Sequence, residues 1–287
     1  MNIESKKQFA ASLSIASNGF IILFKLFAGI FTGSISIISE AIHSMSDFLA
    51  SVLTFFAVTR SSKPADKSHP FGHGKYEDVA GFIEGLLIIL ASLYIVWEAC
   101  KKIISNSSVE FDSTLGIIVM SIAIVANLFV SSYLFIVAKK FDSIALKADA
   151  KHLSTDVYSS LGVLIGLVLI KVTGIAILDP LIAIFVALII LKTGITITKE
   201  TLNNLLDGTL PEEDIEKIKK IMNDCDKIHG FTNLKCIKSG SYRDIDITIL
   251  CDANMSIKDC HKICDTLENK IRETLPNTLI TIHCEPY

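Results

Sequence analysis

The sequence predicts a membrane protein with six transmembrane helices, followed by a small cytoplasmic α+β domain. Of its 287 residues, 51% are hydrophobic and 20% are charged, which is more apolar than an ordinary soluble domain. Apolar stretches of about 20 residues, long enough to cross the hydrocarbon core as a helix, recur as far as residue 199. After residue 206 the chain becomes charged. We therefore predict a transmembrane domain over residues 1–206 and a water-soluble domain over residues 207–287.

Six spans can be placed in the apolar part. They cover residues 9–31, 35–59, 78–100, 114–138, 153–172 and 175–198. The first is too long and too polar for a secretory signal, and no small-residue cleavage site follows it, so we keep it as a span. Lys25 interrupts the first span, and Glu40, His43 and Asp47 interrupt the second. Ionisable residues inside a span are costly in lipid and must face protein or water.

Positive charges near the span ends predict the orientation, because cytoplasmic loops carry an excess of Lys and Arg. One side has ten such residues and the other has three. The ten are Lys6, Lys7, Arg60, Lys63, Lys67, Lys75, Lys139, Lys140, Lys147 and Lys151; the three are Lys101, Lys102 and Lys171. We expect an integral protein of the cell membrane with both termini in the cytoplasm.

The polar C-terminal part is predicted to fold in the order helix, strand, strand, helix, strand. Pro211 in a first turn, followed by isoleucines at helical spacing, predicts a helix to about residue 224. Residues 231–238 and 244–251 read as strands joined by a turn at Ser239 and Gly240, with Ile245, Ile247 and Ile249 pointing inward. A second helix over residues 256–274 and a last strand over residues 278–285 complete an open sheet covered by helices.

Two identical motifs lie inside the spans: His43-x-x-x-Asp47 in the second and His152-x-x-x-Asp156 in the fifth. Residues four apart on a helix project from one face, so two opposed faces offer four ligands. Two imidazoles and two carboxylates suit a tetrahedral divalent ion, zinc above all. The alternative is that each pair makes a helix-to-helix hydrogen bond, but independent structural use of both is improbable.

Two further acids lie near these motifs. Glu40 precedes His43 by one turn, and Glu84 lies inside the third span. Each could support the ligands, carry protons or pair with Lys25, and we favour a structural or supporting role.

The loop between the second and third spans contains Asp66, His69 and His73 within eight residues, with Pro70, Gly72 and Gly74 shaping a turn. This spacing can form a cytoplasmic metal site. Solvated histidines in a polar loop are the alternative, and the neighbouring intramembrane pairs favour metal.

The last strand places His283 and Glu285 on one face and Cys284 on the other, so Cys284 is expected in the core. His283 and Glu285 form a ligand pair, which His261 on the preceding helix could complete. Cys260 and Cys264 lie one turn apart and are expected to be buried small hydrophobes.

Several classes of protein are disfavoured. Lys plus Arg number 27 against 30 Asp plus Glu, so no basic excess indicates a nucleic-acid partner. Seven cysteines, mostly in the polar C-terminal quarter, are typical of reduced thiols and predict no disulfide framework.

An intramembrane metal-dependent hydrolase would need an open metal position and a general base, typically HExxH, which the chain lacks. A membrane metal sensor that does not transport is the remaining alternative, and no residue pattern in the tail resembles a signalling module.

Because of these motifs, the whole chain resembles the cation diffusion facilitator family of divalent metal transporters. The resemblance lies in residues 39–47, in the loop from Asp66 to Lys75, in residues 152–156 and in the ending 282–286. It implies a homodimer with a cytoplasmic metallochaperone-like (ferredoxin-like) domain, and it implies secondary active efflux of cytosolic metal in exchange for external protons by alternating access. Zinc is the expected substrate, with cadmium, cobalt, iron and manganese open, and no enzymatic activity is expected. A metal ion with a structural or regulatory role is also possible.

By matching position, the resemblance assigns His43, Asp47, His152 and Asp156 to transport and Asp66, His69 and His73 to a loop site. It also implies that Lys75 and Asp207 pair in a salt bridge near the dimer interface. Only His261, His283 and Glu285 match in the cytoplasmic domain, because Thr232 and Thr248 stand where other members carry histidines. One weaker site there, helped by Asp244, Asp246 or His229, is the corresponding expectation.

Overall fold

The computed structural model describes residues 3–32, 35–105, 114–173 and 177–287; some side chains within its helices, among them those of residues 31–43 and 163–173, are outside the description. The chain divides into two compact units, Met1–Thr201 and Leu202–Tyr287. Each unit is described by itself below.

In its described residues, the N-terminal unit consists of six long helices, as the apolar stretches predict. They are α1 (Ile3–Thr32), α2 (Ile35–Ser61), α3 (Lys75–Ser105), α4 (Thr114–Phe141), α5 (Ile144–Thr173) and α6 (Leu178–Leu205). Within the described residues, four are long and apolar enough to cross a membrane, by segments in α1, α3, α4 and α6. The helices with the two His-x-x-x-Asp motifs, α2 and α5, do not meet that criterion among those residues.

Small residues let α3 and α6 approach closely. A side chain added at Gly194 on α6 would place its Cβ 2.9 Å from Ile89 and 3.1 Å from the backbone oxygen of Gly85 on α3. The first distance is essentially never seen for a real Cβ and the second is unusually short, so glycine at position 194 allows the two backbones to pack. Small residues have this role in many transmembrane helix pairs.

One buried carboxylate joins four helices at one end of the N-terminal unit. Glu77, in the first turn of α3, is fully buried. It pairs with Lys7 of α1 and accepts hydrogen bonds from Ser61 of α2 and Ser143 just before α5. Because Lys7 is only 5% exposed, both charges of this pair are withdrawn from water and depend on each other.

The C-terminal unit has the predicted element order. It contains α7 (Glu212–Asn223), β1 (Gly230–Ser239), β2 (Tyr242–Cys251), α8 (Ile257–Thr274) and β3 (Thr278–Pro286). Pro211 is the residue before α7 and not within its first turn, which shifts the predicted start by one position. Ser256 caps α8, its side chain accepting a hydrogen bond from the backbone N–H of Asp259 at 3.2 Å.

The three strands form one sheet in the order β1-β2-β3, with β1 antiparallel and β3 parallel to β2. Gly240 has a φ of 59° in the turn between β1 and β2, where the sequence predicts it. Ile245, Ile247 and Ile249 of β2 are buried as their alternation requires. They pack with Ile218 and Met222 of α7 and Leu267 and Ile271 of α8 in one hydrophobic core.

We predict that Lys7→Met destabilises the N-terminal unit by about 3–5 kcal/mol, because it removes a buried cation that pairs with the buried charge of Glu77. The measurement is the thermal unfolding midpoint of the full-length protein in detergent. Lys147→Met is the matched control, because Lys147 pairs with Glu200 at 2.6 Å where both side chains are about one third exposed. An exposed pair of that kind contributes about 0–1 kcal/mol. Equal shifts in the two variants would contradict the assignment of Glu77 and Lys7 as a structural pair.

Candidate functional site

The second and fifth helices bring three predicted ligands together inside the N-terminal unit. Asp47 comes from α2, and His152 and Asp156 come from one face of α5. A ligand atom of each lies within 4.8 Å of the others. The Nε2 atom of His152 is 3.3 Å from Oδ1 of Asp47, and both residues are buried. The helical spacing of the two motifs thus produces the convergence that the sequence predicts for these three residues.

The spacing of this cluster fits a tetrahedral cation. Two nitrogen or oxygen ligands of zinc lie about 3.3 Å apart, because each is about 2.0 Å from the ion and the angle between them is tetrahedral. The distance between His152 and Asp47 equals that separation. Among the described residues, Nδ1 of His152 has no hydrogen-bond partner, and Nε2 has only its close contact with Asp47. Buried polar atoms without partners are rare in proteins and need an explanation such as an ion or water.

The fourth predicted ligand, His43, lies on α2 one turn before Asp47, but its side chain is outside the described residues. The same holds for the side chain of Glu40. The sequence also suggests Lys25 of α1 as a partner for Glu40 or Glu84. In the structure, Lys25 donates a hydrogen bond of 2.9 Å to Ser44 of α2.

A hydrogen-bonded network of buried polar side chains surrounds Asp47. Asn18 of α1 donates to Ser51 at 2.7 Å and to the backbone oxygen of Asp47 at 3.4 Å. Ser51 lies 2.9 Å from the hydroxyl of Ser14 and 3.4 Å from Oδ1 of Asp149. These bonds fix α1, α2 and α5 around the cluster, as supporting partners commonly do around metal ligands.

Sequence reasoning did not single out Asp149. It lies three residues before His152 on α5 and is fully buried, so the spacing Asp149-x-x-His152 on one helical face was the available signal. Glu84 of α3, for which the sequence predicts a structural or supporting role, is also fully buried. It accepts a hydrogen bond from Thr54 of α2. One oxygen of each carboxylate, Oδ2 of Asp149 and Oε2 of Glu84, has no hydrogen-bond partner among the described residues.

The loop between α2 and α3 brings its three predicted ligands together. Ligand atoms of Asp66, His69 and His73 all lie within 4.8 Å of one another. Oδ2 of Asp66 is 3.4 Å from Nε2 of His73, and the two imidazole rings are 4.4 Å apart at their centroids. His73 is buried while Asp66 and His69 are exposed, so the cluster opens to solvent on one side.

Local hydrogen bonds hold Asp66 in place. Its Oδ1 accepts from the Ser68 hydroxyl at 2.7 Å, from the backbone N–H of Ser68 at 2.9 Å and from that of His69 at 2.8 Å. These bonds, the Ser68 hydroxyl first, hold the pKa of Asp66 well below its usual range. The carboxylate is therefore charged at every physiological pH, as a cation ligand requires.

The predicted ligands of the C-terminal unit are more dispersed. Nε2 of His283 lies 3.6 Å from Glu285, and Nδ1 of His261 lies 3.8 Å from Asp265, with all four side chains exposed. Among the described residues, His261, His283 and Glu285 do not form a three-ligand group. In the register of the sheet, Thr232 of β1 lies opposite Thr248 of β2, and Thr248 lies opposite His283 of β3. The two threonines thus lie in one row across the sheet with His283.

The third group of ligand atoms in the described residues consists of thiols. The Sγ atoms of Cys260, Cys264 and Cys284 lie within 4.8 Å of one another. The sequence predicts Cys260 and Cys264 as small hydrophobes, and both do pack in or against the hydrophobic core. The prediction that Cys284 lies in the core is wrong, because Cys284 is exposed near the end of β3.

Comparison with known families covers nearly the whole chain. Residues 11–206 match the model of the cation efflux transmembrane domain. Residues 210–287 match the model of the cytoplasmic domain of cation efflux proteins. The two matched segments agree with the two units of the structure.

Similar proteins span the full length of the chain. An uncharacterised transporter of Synechocystis is 34% identical over 263 residues, which is 91% of this chain and 84% of the relative. The cation-efflux pump FieF of Escherichia coli is 29% identical over 277 residues, covering 96% of this chain and 92% of the pump. Both relatives are transporters and not enzymes.

A solved structure of CzrB, described as a candidate zinc transporter, aligns with 27% of this chain and 98% of its own length, at 24% identity and a TM-score of 0.27. The two family models and the full-length relatives decide the assignment, and the predicted resemblance is confirmed. The chain belongs to the cation diffusion facilitator family of cation efflux transporters.

Proposed function

We propose that this protein exports a divalent cation, zinc first, from the cytosol in exchange for protons, and that the cation crosses the membrane through the cluster of Asp47, His152 and Asp156. The observation that supports this most directly is the convergence of two carboxylates and one imidazole, of which Asp47 and His152 are buried and lie at tetrahedral ligand spacing. His43, one turn before Asp47, is the fourth ligand of this proposal.

Burial supplies the reason for exchange. Asp47, Asp149 and Glu84 are buried in helices of the N-terminal unit, and uncompensated charge is expensive in such a place. A divalent cation and protons are two alternative ways of neutralising these groups. Because metal ligands must be deprotonated to bind, arrival of the cation releases protons, and protons arriving from the other side release the cation.

The other parts of the chain fit the same activity. The excess of Lys and Arg on one side of the spans favours cytoplasmic termini in the cell membrane, so the loop cluster of Asp66, His69 and His73 would meet the cation on its cytosolic side. The C-terminal unit matches a cytoplasmic domain of cation efflux proteins, and we propose that two copies of the chain form a homodimer.

We predict that Asp156→Asn lowers zinc flux by at least about tenfold, because it removes the charge of one ligand while keeping its size. The measurement is zinc entry into vesicles that contain the purified protein and a zinc-sensitive dye, driven by an imposed proton gradient. Collapse of the gradient is expected to stop flux in the parent protein.

Asp142→Asn is the matched control for that experiment. Asp142 lies between α4 and α5, outside the cluster, at a φ of 51° that asparagine also tolerates. We expect parental flux from this variant. Parental flux from Asp156→Asn would contradict the transport site, and flux that does not depend on the gradient would contradict proton exchange.

We also predict that Asp66→Asn removes one bound zinc per chain while leaving the membrane cluster intact. The loop then loses its charged ligand, and the two imidazoles alone bind the cation weakly. Equilibrium dialysis of the full-length protein against zinc measures the change in stoichiometry. Asp142→Asn again serves as the control with the same chemical change, and unchanged stoichiometry in Asp66→Asn would remove the loop from the proposal.

A further inference from the structure

Four cysteines meet at one edge of the C-terminal unit. Cys251 ends β2 and Cys284 lies on β3, while Cys260 and Cys264 lie on α8. Cys284 pairs with Ile249 across the parallel ladder, so Cys251, two residues further along β2, is its diagonal neighbour on the same face of the sheet. Residues four apart on a helix share one face. Two thiols from the sheet therefore face two thiols from the helix.

The distances between these thiols are those of a ligand set. Sγ of Cys264 is 3.3 Å from Sγ of Cys284, and Sγ of Cys260 is 3.6 Å from Sγ of Cys251. Three of the four sulfur atoms lie within 4.8 Å of one another. Two thiolates on a tetrahedral zinc ion are about 3.8 Å apart, because each lies about 2.3 Å from the metal. The two measured pairs thus lie within about 0.5 Å of that spacing, whereas Cys251, which is outside the group of three, has to move closer to the other sulfur atoms to complete the set.

The position of the cluster gives a cation access to it. Cys264 and Cys251 are buried, Cys260 is half-buried and Cys284 is exposed. The sulfur atoms therefore extend from the hydrophobic core to the surface. His283 and Glu285 project from the opposite face of β3, so the thiols are separate from that pair.

We propose that the C-terminal unit binds one thiophilic divalent cation, of the zinc and cadmium class, through the four thiolates of Cys251, Cys260, Cys264 and Cys284. Each thiol releases its proton to solvent as its sulfur binds the ion. The occupied site ties the end of β2 and the middle of β3 to α8. Binding there is independent of whether the membrane cluster transports.

Core packing of thiols without any ligand is the competing explanation. A simple apolar role would need no contact between sulfur atoms, whereas four of the six cysteines of the C-terminal unit pair sulfur to sulfur.

The test uses Cd²⁺ alone as the probe on the reduced, full-length protein in detergent. Thiolate bound to Cd²⁺ absorbs in the ultraviolet by charge transfer, whereas imidazole and carboxylate ligands give no such band. We expect the band to saturate at one Cd²⁺ per chain. The double variant Cys264→Ala, Cys284→Ala should lose it, and Cys236→Ala, which removes a buried thiol from the same core, should retain it. Absence of the band in the parent, or an equal band in the double variant, would overturn the proposal.

A second measurement on the parent protein does not depend on how variants fold. Alkylation of each cysteine is followed by peptide mass spectrometry with and without Cd²⁺. We expect the ion to slow alkylation of Cys260 and Cys284 by on the order of tenfold, because bound thiolates are withheld from the reagent. The exposed Cys100 of α3 should react at the same rate in both conditions. Equal rates for Cys260 and Cys284 with and without the ion would refute the site.

Discussion

The structure of the N-terminal unit depends on one constraint: an ionisable side chain inside an apolar bundle must find a partner that neutralises it. Glu77 meets this requirement within the chain, through Lys7 and two serine hydroxyls. Its buried pair joins helices that are distant in sequence. His152 meets it only in part, because its Nε2 contacts Asp47 but its Nδ1 has no hydrogen-bond partner among the described residues.

The need for a neutralising partner also distinguishes the helices that can face lipid from those that carry ionisable motif residues. The segments of α1, α3, α4 and α6 are apolar enough to face lipid. The helices α2 and α5 carry the motif acids and histidines, and among the described residues they do not reach that level of apolarity. Their contacts explain how they are accommodated: Asn18 and Ser14 hydrogen-bond Ser51, which donates to the carboxylate of Asp149, and Asn18 also donates to the backbone oxygen of Asp47. A site for an ion can therefore exist in the N-terminal unit because polar side chains, and not lipid, surround it.

Much of this could be predicted from the sequence, because the signals are local. Helical spacing places His152 and Asp156 on one face, and strand alternation buries Ile245, Ile247 and Ile249, as the structure confirms. The thiol cluster could not be predicted in the same way. It depends on the register between β2 and β3, which sets Cys251 diagonal to Cys284, and no local pattern in the sequence encodes that register. Asp149 shows a different limit, since its spacing from His152 was visible but only its burial marks it as important.

The two ligand sets suit different tasks because their chemistry differs. Oxygen and imidazole ligands bind divalent cations less tightly than a full set of thiolates binds zinc or cadmium, and protons displace cations from them over a moderate range of pH. A cation that must leave again on the far side of a membrane needs such ligands, and α2 and α5 supply them. Four thiolates form a closed shell with no open position. Sulfur ligands in the C-terminal unit therefore suit retention of an ion, whereas the cluster of Asp47, His152 and Asp156 suits its passage.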